Sequence, residues 1–171
     1  MNKTIISRRK KERPVIEILI EHVPSTLLHL LTGAVVMYIF YGTTDLTITR
    51  RLRVMAFGVM VLVPDIPKLF GNYIFHTLLT LPFIAAAFAP VVRRMLGGEF
   101  LKAWIAAFFT LALGSMLIDF LGNGTQFLFP VTSKNFSYHL IDQEWWVIVP
   151  LAAVLGTLAV RGRKNGPPRQ A

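Results

Sequence analysis

With 171 residues, of which 54% are hydrophobic and only 16% charged, the chain is one domain by length and too apolar for an ordinary soluble protein. Its net charge of +9 would suit nucleic-acid binding, but the basic residues lie in short clusters beside hydrophobic runs and no groove-reading motif accompanies them. Cysteine is absent, which excludes disulfides and thiolate metal sites, so a bound metal must use nitrogen and oxygen ligands.

The basic clusters indicate a protein of the membrane. They lie at residues 8 to 13, 50 to 53, 93 to 94 and 161 to 164, and each borders a hydrophobic run. Residues at such positions face anionic lipid headgroups and fix topology. We therefore predict a multi-pass protein of the inner or plasma membrane whose partner is the lipid bilayer, with no nucleic-acid partner.

The chain divides into three parts. Residues 1 to 13 form a basic arm that lacks the small-residue cleavage site of a signal peptide. Residues 14 to 161 carry the hydrophobic segments. Residues 162 to 171 are basic and rich in proline and glycine, which predicts a disordered tail. The fold class that follows is all-α, an integral membrane bundle of four to five transmembrane segments, one of them short or re-entrant.

The first two segments differ in length. Residues 14 to 21 suggest a short amphipathic helix at the interface, and Pro24 then starts a span that reaches about Tyr41. Residues 54 to 63 are apolar over a length that covers only about half of a ~30 Å hydrocarbon core. This second segment either continues through Asp65, with Arg50, Arg51 and Arg53 snorkelling at its start, or is a re-entrant half helix.

Three further segments follow. Residues 72 to 92 predict a span with a kink at Pro82, and residues 100 to 121 form the longest apolar run. Residues 145 to 160 begin with two tryptophans, which are typical of a membrane interface. A loop of glycine, asparagine, phenylalanine and proline joins the last two segments.

Four polar residues lie in or beside these apolar runs: His29, Asp65, His76 and Asp119. An acid at the centre of a bilayer costs about 3 kcal/mol, so such residues are usually paired, hydrated or bound to a ligand. Successive spans alternate in direction. If the second segment spans, all four residues therefore fall at the same membrane face.

Two imidazoles and two carboxylates at one face can hold a divalent metal, with zinc, manganese or iron as candidates. We predict His29, Asp65, His76 and Asp119 as the ligands. Asp65 and Asp119 are also the candidate catalytic residues, because a metal beside them could activate water for nucleophilic attack. The alternative for each residue alone is an interfacial side chain with an ordinary hydrogen-bond partner.

The residues of three segments resemble a known family. They are Val-Pro-Asp-Ile at 63 to 66, Phe-His-Thr at 75 to 77, and the stretch from Asp119 to Pro130. Together they resemble the YdjM-like family of LexA-binding, inner-membrane-associated, metal-dependent hydrolases. That family shows a histidine in its first helix, Pro-Asp-Ile-Asp-His, His-Arg-Gly-x-Thr-His-Ser, and His-x-x-x-Asp before a glycine-containing loop ending in Trp-Pro or Phe-Pro. The resemblance covers residues 24 to 138.

The chain departs from the family pattern at several ligand positions. Pro67 and Lys68 stand where the family has its second aspartate and the histidine, Gly71 replaces another histidine, and Ser115 replaces a third. His22 competes with His29 for the first-helix position, and His139 could restore a lost ligand. The remaining residues imply one mononuclear site, which zinc or manganese would suit.

These observations lead to two hypotheses about function. The first is a metal-dependent membrane hydrolase of a lipid or other amphiphilic substrate, where hydrolysis is implied by the resemblance alone. The second is a non-catalytic membrane scaffold or partner-binding protein of the same fold, which the missing ligand positions favour. A transporter is a third, more distant alternative, since broken helices and buried carboxylates also occur there.

Overall fold

The computed structural model describes residues 15 to 42, 46 to 68, 70 to 141 and 144 to 161. The predicted basic arm and basic tail lie outside these residues. Within them every regular element is a helix, and strand pairing is limited to a single bridge between Thr125 and Phe136. The predicted all-α class is therefore confirmed.

Seven α-helices, two of them extended by other helical segments, make up the described fold. They are α1 (Val15–Tyr41), α2 (Ile48–Ala56) with the 3₁₀ helix Phe57–Leu62, α3 (Asp65–Lys68), α4 (Leu81–Leu96), α5 (Phe100–Leu111) running through the π-helical segment Ala112–Leu117 into α6 (Ile118–Leu121), and α7 (Trp145–Arg161).

Two of the helical segments are long and apolar enough to cross a membrane. These are His22–Tyr41, within α1, and Phe100–Leu121, which comprises α5, the π-helical segment and α6. The helix at Trp145–Val160 is apolar but shorter. The sequence predicted helices at residues 100 to 121 and 145 to 160, and both are confirmed as helices.

Proline positions mark where the predicted helix boundaries are wrong. α1 runs through Pro24 without a break, so residues 15 to 21 of the predicted interfacial helix and the first span form one helix. A proline removes one backbone donor, but the remaining bonds can carry a long helix past it. Pro82 does not kink a helix, because α4 begins at Leu81 and proline is well tolerated in the first turn.

Residues 72 to 80 form turns and not the start of a span. Two threonine hydroxyls stabilise them: Thr77 and Thr80 both donate to the carbonyl of Ile74, over 3.2 and 2.7 Å. The amide of Leu78 donates to the Phe127 carbonyl at 3.1 Å, which ties these turns to the loop after α6. His76 thus lies on a braced turn.

The structure also corrects the prediction that Arg51 snorkels, because its side chain is buried in the fold. Its side chain is only 2% exposed, and Nη1 donates to the carbonyl of Leu158 over 3.1 Å. Leu158 lies in the last turn of α7, where carbonyls lack helical donors and basic side chains commonly replace them. Arg50 and Arg53 are exposed.

Three glycines bring the helices that carry the polar residues into backbone contact. A Cβ at Gly33 would lie 2.6 Å from the carbonyl oxygen of Gly58, and one at Gly58 would meet the backbone of Ala34. A Cβ at Gly114 would lie 2.6 Å from the side chain of Val61 and 3.2 Å from the backbone of Gly33. Only glycine permits this approach of α1, the 3₁₀ helix and the π-helical segment.

Replacing Gly58 with alanine should therefore lower the free energy of unfolding by about 1–3 kcal/mol, because the added methyl overlaps backbone that cannot move aside. Gly156 in α7 is the matched control, since nothing lies within 4 Å of a Cβ there. Alanine at that position should leave stability unchanged or raise it by about 0.5–1 kcal/mol. Unfolding of the two variants in detergent measures both values, and equal effects would contradict the close contact.

Candidate metal centre

Asp65, His76 and Asp119 form a compact cluster of possible metal ligands. Each offers one ligand atom, and these atoms all lie within 4.8 Å of one another. Nε2 of His76 lies 2.6 Å from Oδ2 of Asp119 and 3.8 Å from Oδ1 of Asp65. The side chains of His76 and Asp119 are almost fully buried, whereas that of Asp65 is 26% exposed.

A different element positions each member of the cluster. Asp65 is the first residue of α3, directly after a turn at Val63 and Pro64. His76 comes from the braced turn before α4, and Asp119 from α6. The cluster therefore depends on three chain segments that are distant in sequence, which only the packed fold brings together.

His29 of α1 reaches the same carboxylate from the other side. Its Nε2 lies 3.2 Å from Oδ1 of Asp119, and its Nδ1 lies 2.7 Å from the carbonyl oxygen of Gly114. A carbonyl oxygen can only accept, so Nδ1 carries a hydrogen and donates it. In the neutral ring, the Nε2 lone pair would then point at a carboxylate oxygen, which is repulsive. The geometry therefore requires a positive charge at this point, either a proton on Nε2 or a cation between the two groups.

The π-helical segment explains why the Gly114 carbonyl can accept from His29. In a regular α-helix this carbonyl would accept from the amide of Ile118. Here the Ile118 amide donates to the carbonyl of Ser115 instead. Segments of this kind are frequent at functional sites, and a backbone carbonyl behind an imidazole is a usual support for a metal-binding histidine.

Lys68 also contacts the cluster, and this contact was not predicted from the sequence. Its Nζ donates to Oδ2 of Asp119 over 2.6 Å, the oxygen that His76 also contacts. Lys68 follows Asp65 by three residues in α3, a spacing that places both on one face of a helix. That spacing was the only sequence signal for Lys68, and it is weak because α3 is a single turn.

Asp65 and His76 lie outside the two candidate spans, and their environment perturbs both. Burial, together with the negative charge of Asp119, raises the pKa of Asp65 to about 6. Burial, together with the Lys68 ammonium, lowers the pKa of His76 to about 4. His76 is therefore neutral near pH 7, which is the form of histidine that binds metals.

The residues present fit a divalent cation. Among the described residues, Oδ1 of Asp65 and Nδ1 of His76 are buried without a hydrogen-bond partner, and such atoms are costly unless something satisfies them. Two carboxylates with one or two imidazoles are a donor set for zinc or manganese. Lys68 opposes a cation, because its ammonium already contacts Asp119.

A cavity of about 730 Å³ opens onto this cluster. His29, Asp65, Lys68 and Asp119 are among its lining residues, whereas His76 is not. Its other walls are formed by His22, Ser25, Thr26, Leu62, Ile66, Asn123 and Glu144. This volume is within the range usual for small-molecule sites.

The structure also shows which of the alternative histidines lies at the cluster. His22 lines the cavity, while the contact with Asp119 belongs to His29. His139 is exposed and is not among the cavity-lining residues, so it does not replace a missing ligand.

Comparison of the chain with protein-family models, with curated proteins and with solved structures finds no match. The resemblance to the YdjM-like hydrolases therefore has no support from these comparisons. The function proposed below rests on the geometry of the cluster and its cavity.

Proposed function

We propose that the chain is a multi-pass membrane protein of four or five spanning segments in the inner or plasma membrane. Large apolar side chains on its outer surface support this. Phe83 is 76% exposed and Trp146 is 77% exposed, and aromatic side chains this exposed suit contact with lipid. Other exposed apolar residues on the long helices are Ile39, Leu101, Phe109, Val149 and Val154.

The proposed segments are α1, α2 with its 3₁₀ extension, α4, the α5–α6 helix and α7. Exposed arginines at the end of α4, Arg93 and Arg94, suit contact with anionic lipid headgroups. The proposal predicts that the protein stays with the membrane fraction after an alkaline carbonate wash. Release into the soluble fraction would contradict it.

The function that the geometry supports best is metal-dependent hydrolysis. In this proposal Asp65, His76 and Asp119 hold one zinc or manganese ion, with His29 contributing Nε2 or supporting Asp119. The observation that carries the proposal is the convergence of the three donors within 4.8 Å, two of which, Asp65 and Asp119, also line a cavity. The substrate class is an ester or phosphoester of an amphiphilic molecule.

A divalent cation at this position would supply Lewis acidity toward the scissile bond and toward water. The chain's own residues would do the rest. Asp65 can take a proton from water on the carboxylate oxygen that does not bind the metal, because its side chain lines the cavity. Lys68 lines the cavity, and the N–H donors of its ammonium can stabilise negative charge that develops on the substrate.

Metal removal tests this proposal. We expect detergent-purified protein to contain about one zinc or manganese ion per chain, to lose ester or phosphoester hydrolysis after dialysis against a chelator, and to regain it with added metal. Metal at a hundredfold its dissociation constant should also add about 2.7 kcal/mol to the free energy of unfolding. A folded, metal-free protein whose melting temperature ignores added zinc and manganese would rule the proposal out.

One observation favours the second candidate, a non-catalytic scaffold. The Lys68 ammonium and a protonated His29 could neutralise Asp119 and Asp65 without any metal. The cluster would then join α1, α3, α6 and the turn of His76 as a buried ion network. In that case removal of Asp119 would change stability, and the protein would show neither bound metal nor hydrolysis.

A further inference from the structure

A second cavity, of about 500 Å³ and almost wholly apolar, lies next to the polar one. It runs between the 3₁₀ helix and α4, with Val59 and Met60 on one side and Phe88 and Val91 on the other. Among the described residues, no charged side chain lines it. Its chemistry is therefore that of a site for hydrocarbon.

Leu62 and Ile66 line both cavities. Ile66 follows Asp65 directly and stands between it and Lys68 in α3, so the shared wall begins at the polar cluster itself. Carboxylates and an ammonium line the cavity on one side of Leu62 and Ile66, and apolar side chains line the cavity on the other. A ligand that occupies both cavities must therefore be polar at one end and apolar at the other.

The apolar cavity is open to the outside of the bundle. Val59, Ile66 and Val91 are each at least half exposed. In a membrane-spanning bundle such surface faces lipid chains and not water. A chain of the bilayer can therefore enter from the side without leaving its hydrocarbon environment.

We propose that the substrate is a single-chain or double-chain amphiphile whose ester or phosphoester head lies in the polar cavity while one hydrocarbon chain lies in the apolar cavity. This inference rests on the proposed hydrolase function. In the reaction water adds across the scissile bond: its hydroxyl goes to the acyl or phosphoryl group, its remaining proton goes to the leaving alcohol, and the ester C–O or P–O bond breaks. No oxidant or further co-reactant is required.

Photolabelling tests the chain site independently of hydrolysis. The probe is a long-chain alkyl phosphate with a diazirine at the chain end, incubated with the full-length protein in detergent and mapped by mass spectrometry. We expect labels within residues 57 to 66 and 88 to 91, and a reduction of at least about tenfold in Val91→Trp, which fills the cavity. Val59→Trp serves as a second filling variant from the other wall.

Val149→Trp is the control, because Val149 is exposed on α7 and lines neither cavity. Circular dichroism and the melting temperature establish that each variant is folded. Labels spread evenly over lipid-facing residues and unchanged in both filling variants would mean ordinary contact with surrounding lipid, and would overturn the inference. Competition by a peptide or by a second copy of the chain, without competition by long-chain lipid, would overturn it as well.

Hydrolysis of p-nitrophenyl acyl esters and of alkyl p-nitrophenyl phosphates of increasing chain length supplies the second readout. Each methylene that enters the apolar cavity should raise kcat/KM by up to about fourfold. The ratio of long-chain to short-chain kcat/KM should fall in Val91→Trp and stay constant in Val149→Trp. Specific labelling without any hydrolysis would refute the hydrolase function but not the chain site, whereas hydrolysis independent of chain length with diffuse labelling would refute the chain site alone.

Discussion

Asp119→Asn should remove bound metal and lower the rate of hydrolysis by more than about a hundredfold. A loss of about a hundredfold is the upper limit for a residue that only supports a metal ligand. The reason is that Asp119 is the common partner of the cluster: His29, His76 and Lys68 all contact its two oxygens within 3.2 Å. The amide keeps the shape of the side chain but loses its charge. Metal content by mass spectrometry and initial rates of hydrolysis measure the two effects.

The same substitution should lower the free energy of unfolding by about 3–5 kcal/mol, because it leaves the positive charge at the buried His29 and the partly exposed Lys68 ammonium without a counter-charge. Asp65→Asn is a milder companion variant, since Asp65 is partly exposed, and it should lose metal at a smaller cost in stability. Glu99→Gln, at the start of α5 and away from the cavity, is the control for removing an acid. Full metal content and activity in Asp119→Asn would be incompatible with its role as a ligand.

Lys68→Met should bind metal more tightly and turn substrate over more slowly. The ammonium shares Oδ2 of Asp119 with any cation held there, and two like charges about 4 Å apart repel by about 4 kcal/mol at an effective dielectric constant of 20. Its removal should tighten metal binding by at least about tenfold. The loss of a positioned donor should lower kcat by about 10²–10³.

Titration calorimetry with zinc or manganese, together with kcat and KM, separates these effects. Lys68→Arg keeps the charge and should keep weak metal binding. Lys102→Met removes a lysine that lies over the Tyr41 ring, 4.9 Å from its centroid and remote from the cluster, and should change neither quantity. If Lys68→Met leaves metal affinity and turnover unchanged, Lys68 has a purely structural role.

The convergence of the four polar residues could be expected from the sequence. His29, Asp65, His76 and Asp119 lie near alternating ends of successive apolar runs, and this order alone puts them at one end of the bundle. The structure does bring all four together, although His76 reaches the cluster from a turn and not from a helix. The alternation of the helical segments is enough for this convergence, and the placement of the shared end at one membrane face stays a prediction.

The boundary errors have a physical origin. A proline in an apolar run is compatible with a kink, with the first turn of a helix or with an uninterrupted long helix, and only tertiary contacts decide among them. The hydroxyls of Thr77 and Thr80 stabilise the turns that precede Pro82. These bonds depend on a backbone conformation that the sequence does not specify.

Lys68, Arg51 and the π-helical segment could not be predicted for a related reason. Each is defined by a partner that is remote in sequence: Asp119 for Lys68, the Leu158 carbonyl for Arg51, and His29 for the carbonyl of Gly114. The position of basic residues beside apolar runs predicts that they lie near lipid headgroups. A carbonyl without a helical donor at a helix end can instead bind an arginine inside the fold, as the Leu158 carbonyl binds Arg51. The fold class follows from apolar periodicity, whereas the chemistry of the site depends on these long-range contacts.

Diffraction from crystals of the zinc-loaded protein, recorded at the zinc absorption edge, tests the central claim most directly. We expect one anomalous peak, from a zinc ion bound by carboxylate oxygens of Asp65 and Asp119 and an imidazole nitrogen of His76 at about 2.0–2.2 Å. The Lys68 ammonium should have moved away from Oδ2 of Asp119. The absence of a peak in the cluster, with Lys68 still bound to Asp119, would contradict it.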